Sequence, residues 1–142
     1  RILFTPKLKV TYCPRRNWPA LRRQMFATGV WRGHLVRRHQ STPWRYLPPP
    51  AVAVLVAFSL VVGLLQLLGI ARGAGWALAH VPSLGYLAGV SAVGMARLGG
   101  DGLVDRVLNV VVLATMHLAW GAGFIKGWLT GAETTVDRSR LR

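Results

Sequence analysis

Three stretches of the chain carry no charged residue. Ala51 to Ala71 is 21 residues between Pro50 and Arg72, Gly73 to Ala96 is 24 residues between Arg72 and Arg97, and Val107 to Ile125 is 19 residues between Arg106 and Lys126. About 20 apolar residues in a helix cover roughly 30 Å of hydrocarbon, and backbone groups that meet no water there must bond within their own segment. Each stretch is therefore expected to be a membrane-crossing helix. Ahead of them the pattern changes. Lys7-Leu-Lys-Val-Thr-Tyr12 alternates polar and apolar with the period of a strand, which Pro14, Arg15 and Arg16 end. From Trp18 to His39 the period is helical, with Pro19 suited to the first turn. Trp18, Leu21, Met25, Thr28 or Gly29, and Leu35 form the recurring face, and Arg22, Arg23, Arg32, Arg37 and Arg38 are the polar partners. A basic amphipathic helix of this kind is expected to lie in the plane of the membrane interface. The pattern predicts an all-α membrane protein: a short N-terminal strand and an amphipathic interface helix, then two to three transmembrane helices. Its divisions are a basic segment over 1–47, membrane helices within 48–130 (about 51–71, 74–96 and 105–127) and a polar tail over 131–142.

The three spans differ in character. The first is apolar on every face. Pro48, Pro49 and Pro50 precede it, and proline suits a first helical turn because the N–H it lacks has no partner there. Trp44, Arg45 and Tyr46 form an interfacial anchor of aromatics and a cation. The second span carries His80, Pro82 and Ser83, so it is expected to kink or split, or to form a re-entrant hairpin. Its Gly85 and Gly89 are spaced for close helix contact. The third carries Asn109, Thr115 and His117 and ends in Gly123, Gly127 and Gly131, four residues apart. These read either as a packing stripe or as a cluster at the helix end.

Charge adds direction. The formal net charge is +14 and mean hydropathy +0.36, with 52% hydrophobic and only 15% charged residues. Residues 1–47 hold eleven of the eighteen Lys and Arg and no acid; the acids are Asp101, Asp105, Glu133 and Asp137. Such a block faces a polyanion. The apolar spans argue against nucleic acid and for membrane lipids or a phosphorylated substrate as partners. Basic residues mark the cytoplasmic side, which puts 1–47 in the cytoplasm of a multi-pass protein of the cytoplasmic (inner) membrane. Three full crossings would leave the tail outside, against the preference of Lys126, Arg138, Arg140 and Arg142. A re-entrant second span would return it to the cytoplasm. The lone Cys13 implies no internal disulfide. The start at Arg1, without an initiator Met, leads us to expect a piece of something longer.

The most distinctive string is Tyr12-x-Pro14-Arg15-Arg16, Leu21-Arg22-Arg23-Gln24, Gly29-x-Trp31-Arg32 and Arg45-Tyr46-Leu47-x-Pro49-Pro50. It offers guanidiniums that pair with phosphate oxygens, an amide and a stacking indole. That set suits an anionic, partly planar ligand such as a nucleotide sugar. It equally suits lipid phosphates with Trp31 as an interfacial anchor. The string resembles the carboxyl-terminal part of membrane-bound family 2 glycosyltransferases, in particular exopolysaccharide (succinoglycan-type) and related actinobacterial enzymes. His117-Leu-Ala-Trp120-Gly-Ala-Gly-Phe124-Ile-Lys-Gly127 is similar to a pattern in their last span.

The resemblance implies a GT-A α/β catalytic domain upstream. It implies transfer from a nucleotide-sugar donor to a polyprenyl-linked or polysaccharide acceptor, and donor or acceptor contacts from Arg23, Gln24, Trp31 and Arg32, with Arg15 and Arg16 next. Processive relatives use a tighter Gln-x-x-Arg-Trp motif. Here Trp31 lies seven residues after Gln24 and Arg32 follows it, which argues for a non-processive enzyme. The family's Asp-x-Asp pair, its divalent Mg or Mn and its acidic base have no counterpart in residues 1–100, which contain no carboxylate. No catalytic residue, metal ligand or cofactor is therefore expected in this chain itself. His80 and His117 raise haem ligation as a minor alternative. The alternative of another class is a non-catalytic basic membrane-anchor or assembly module that binds anionic lipid.

Overall fold

The computed structural model describes residues 17–40, 43–96 and 102–132. It contains four α-helices: α1 (Trp18–His39), α2 (Pro48–Leu67), α3 (Val81–Ala96) and α4 (Leu103–Thr130). A short 3₁₀ turn, Trp44–Tyr46, precedes α2, and a 3₁₀ segment, Ala74–His80, leads into α3. There is no strand among the described residues, and the strand expected over Lys7–Tyr12 lies outside them, as do Arg15 and Arg16.

Local chemistry sets the helix ends. Asn17 is extended, and its Oδ1 accepts the Ala20 backbone N–H at 2.9 Å, satisfying one of the donors a helix start leaves over. Arg37, Arg38 and His39 occupy the last turn of α1, where the helix dipole favours cations, and Gln40 closes it at φ 49°. The prolines before the first span are not a boundary outside it but its first turn, so α2 begins three residues earlier than the charge-free window. It also ends earlier, at Leu67, because Gly69 turns the chain at φ 70° and Arg72 Nε donates to the Gly69 carbonyl at 2.6 Å. Pro82 splits the second span as expected. It sits in the first turn of α3, and the residues before it wind as 3₁₀ helix.

Three segments are long and apolar enough to cross a membrane: Trp44–Leu67, Ala74–Ala96 and Leu103–Thr130, with mean hydropathies of 2.3, 1.2 and 1.6. At 1.5 Å per residue, α4 alone extends about 42 Å. Most of their large apolar side chains are exposed, among them Leu60 (70%), Leu67 (87%) and Val104 (71%). In water that much exposed hydrocarbon would be costly; in lipid it needs no cover. The chain is a multi-pass membrane protein.

α4 is the organising element. Its first half packs antiparallel against α3, Gly94 facing Val110 and Tyr86 Oη lying 3.4 Å from His117 Nδ1. Midway, Gly121 admits the Pro49 carbonyl at the start of α2. Its second half carries α1 in the most extensive contact of the structure, and the two helices run parallel: Trp18 lies at Thr115 and Arg37 at Trp128 and Leu129. The expected interface-plane helix is thus laid lengthwise along a candidate span. α2 and α3 are antiparallel and held by polar contacts, including Ser83 Oγ to the Leu55 carbonyl at 3.1 Å.

Candidate functional site

The site is built on the seam between α1 and α4. Gly29 and Gly33 of α1 face the Trp120 and Phe124 carbonyls of α4, and Gly123 and Gly127 of α4 face the Phe26 and Val30 carbonyls of α1. A side chain at any of the four would run into the opposite backbone. The reciprocal glycines bring Cα hydrogens against carbonyl oxygens, the geometry of weak Cα–H···O bonds. Val30 is fully buried in the seam, and Phe124 is 6% exposed. At one end Trp18 Nε1 donates to Thr115 Oγ1 at 2.8 Å; at the other Arg37 Nη1 donates to the Leu129 carbonyl at 2.6 Å.

Docking through glycines fixes which face of α1 stays open. Gln24 and Trp31 are seven residues apart, nearly two turns, and so share a face. That face points away from the glycine stripe. Trp31 is half exposed and meets His34 edge-on at 6.3 Å. Arg32 turns elsewhere. Its guanidinium carbon lies 4.3 Å from the centre of the Tyr46 ring, and Arg45 approaches the same ring at 5.2 Å. Of the four residues expected to form one wall, Gln24 and Trp31 share a face of α1, Arg23 is exposed about 80° round the helix from Trp31, and Arg32 lies against Tyr46.

Tyr46 joins the 3₁₀ turn to α4. Its ring stacks on Trp120 at 6.4 Å, and Trp120 stacks on Phe124 at 5.5 Å. Both separations fall in the range of favourable offset aromatic pairs. The column Arg32–Tyr46–Trp120–Phe124 seats the start of α2 against the α1–α4 pair. Trp44, the other expected anchor, is 81% exposed. The notable cavities are apolar. One of about 540 Å³ lies between α2, α3 and α4 and includes Pro49, Val90, Leu113 and His117. Another of about 660 Å³ lies between α2 and the last turns of α4.

The remaining glycines divide. Gly123 and Gly127 lie in the α1 seam, and Gly131 ends α4 at φ 85°. Gly85 and Gly89 meet nothing within 4 Å on the described chain. Pattern reasoning did not single out Gly29 and Gly33 as a docking stripe, although they match Gly123 and Gly127 in spacing. His80 is held at both ring nitrogens, Nδ1 by Ser59 Oγ at 2.6 Å and Nε2 by Gln66 Oε1 at 3.0 Å.

Chemically, the open α1 face can pair with an anion and stack on a flat group. Its titratable side chain is His34, beside Trp31, and the single carboxylate among the described residues, Asp105, sits in the first turn of α4, while α1 lies along the second half. Among the described residues no group of three His, Cys, Asp or Glu is placed to hold a metal. Comparison of the chain with protein-family models, curated proteins and solved structures finds no match.

Proposed function

We propose that the chain is the membrane portion of a family 2 glycosyltransferase that moves a sugar from a nucleotide donor to a lipid-linked or polysaccharide acceptor at the cytoplasmic face. The observation that carries the reading is the clamping of α1 onto α4, which holds Gln24 and Trp31 on an open face beside the membrane, with Arg23 exposed next to it. Together with the order of motifs, this face would form one wall of the donor site, with Arg15 and Arg16 contributing from the preceding segment. The Asp-x-Asp pair, its divalent metal and the base belong, in this reading, to a separate catalytic domain.

The reading assigns residues 1–47 to the cytoplasm. The start of α2 touches Gly121 in the second half of α4, and α1 ends beside α4's last turn.

The test uses the full-length enzyme. Trp31→Ala and Gln24→Ala should each lower turnover, Trp31→Ala by roughly tenfold or more, the scale of a lost aromatic stack. Membrane insertion should be unchanged. Full turnover in both variants would overturn the assignment and favour the non-catalytic, lipid-binding module.

A further inference from the structure

Two arginines share one aromatic ring beside an apolar groove. Arg32 from α1 and Arg45 from the 3₁₀ turn share the Tyr46 ring, at 4.3 and 5.2 Å from its centre. The next residue, Leu47, lines the groove between α2 and the end of α4, with Pro50, Val54, Phe124, Trp128 and Leu129. Arg37, about two turns of α4 further on, bonds the backbone carbonyls of Trp128 and Leu129 through Nη1.

The lining and the rim call for opposite halves of one ligand. The groove is shallow and open, with about 660 Å³ above its apolar floor. Trp128 and Leu129, 51% and 58% exposed, leave its apolar wall uncovered. The rim is cationic, and the one described carboxylate, Asp105, lies at the opposite end of α4. A hydrocarbon chain covers the lining; a phosphate satisfies the guanidiniums in their bidentate geometry. Trp44 and Tyr46 beside the rim are the residue types that settle at headgroup depth.

We propose that this groove is a binding site for an anionic glycerophospholipid: one acyl chain lies along Leu47, Val54 and Phe124, and the phosphate sits between Arg32 and Arg45 beside the Tyr46 ring. The site stands independently of the glycosyltransferase reading and is read out by lipid retention, not by turnover.

The experiment uses the full chain in phosphatidylcholine bilayers containing phosphatidylglycerol, extracted into mild detergent and examined by native mass spectrometry. The wild type should retain phosphatidylglycerol in preference to phosphatidylcholine. The double variant Arg32→Gln/Arg45→Gln should weaken that retention by roughly twentyfold, about fivefold for each arginine. Ala51→Phe adds a ring to an exposed groove position without changing charge, and should displace the lipid although the rim is intact. Arg22→Gln/Arg72→Gln removes the same charge from exposed positions away from the groove and should retain lipid as the wild type does. Equal loss in this pair would show general surface attraction and overturn the site. Undiminished retention in Ala51→Phe, or no preference for phosphatidylglycerol in the wild type, would overturn it too.

Discussion

Gly33 of α1 and Phe124 of α4 approach so closely that a β-carbon on the glycine would collide with the phenylalanine's carbonyl oxygen. The relation recurs one turn earlier, between Gly29 and Trp120, and in the reverse direction from Gly123 and Gly127. The seam thus rests on four missing side chains, and a substitution has to move backbone to be accommodated.

Gly29→Val/Gly33→Val should therefore separate α1 from α4. Overpacking typically costs about 1–3 kcal/mol for a site, and more where the obstacle is backbone. Limited trypsinolysis in detergent is the measurement: cleavage after Arg22, Arg23 and Arg32 should rise sharply in the double variant. The same bonds as resistant as in the wild type would mean that the seam does not hold α1.

The opposite is expected at Gly85 and Gly89, where an added β-carbon meets open space. Gly85→Ala and Gly89→Ala should raise the thermal stability of α3, because alanine in a helix interior is favoured over glycine by about 1 kcal/mol. A fall in melting temperature in dilute detergent would reveal a close partner for this face.

These two glycine pairs show what the sequence discloses and what it withholds. The existence of three apolar helices was legible, since charge-free length and hydropathy report directly on what lipid tolerates, whereas their ends were not. Pro82 correctly foretold the break before α3, because a missing N–H is a local defect. Partner choice was not legible. A small-residue spacing states that a backbone can approach, and Gly85-x-x-x-Gly89 and Gly29-x-x-x-Gly33 read alike on that count. Nor did the spacing of Arg23, Gln24, Trp31 and Arg32 reveal that Arg32 would turn to Tyr46, a residue fourteen positions on that α4 brings into reach through Trp120.

The α2–α3 pair makes a third prediction. His80 joins Ser59 and Gln66 between two apolar helices. A double-mutant cycle of Ser59→Ala and His80→Phe should give a coupling near 0.6 kcal/mol and no more than about 1.7, the range found for polar contacts between membrane helices. Denaturation in mixed micelles checks it; strictly additive effects would show that the contact contributes nothing.

Sidedness gives the fourth. With Cys13→Ser as background, Arg72→Cys should react with an impermeant maleimide added outside intact cells and Gly102→Cys should not, because the antiparallel α2–α3 and α3–α4 pairs carry the chain back between the two positions. Labelling of both would show that the middle segment returns on the outer face.

The pairing of α1 with α4 also bears on how the protein is made. Trp18 and its partner Thr115 are 97 residues apart. At about 5–20 residues per second, the ribosome needs roughly 5–20 s to travel that distance. Throughout that interval the bare backbone stripe of Gly29 and Gly33 has no mate, while α2 and α3 are already entering the bilayer. α1 is thus made before α2 and α3 and docks after them. A chaperone or insertase that shelters one glycine-lined, arginine-bearing helix for those seconds would govern the yield of the whole molecule.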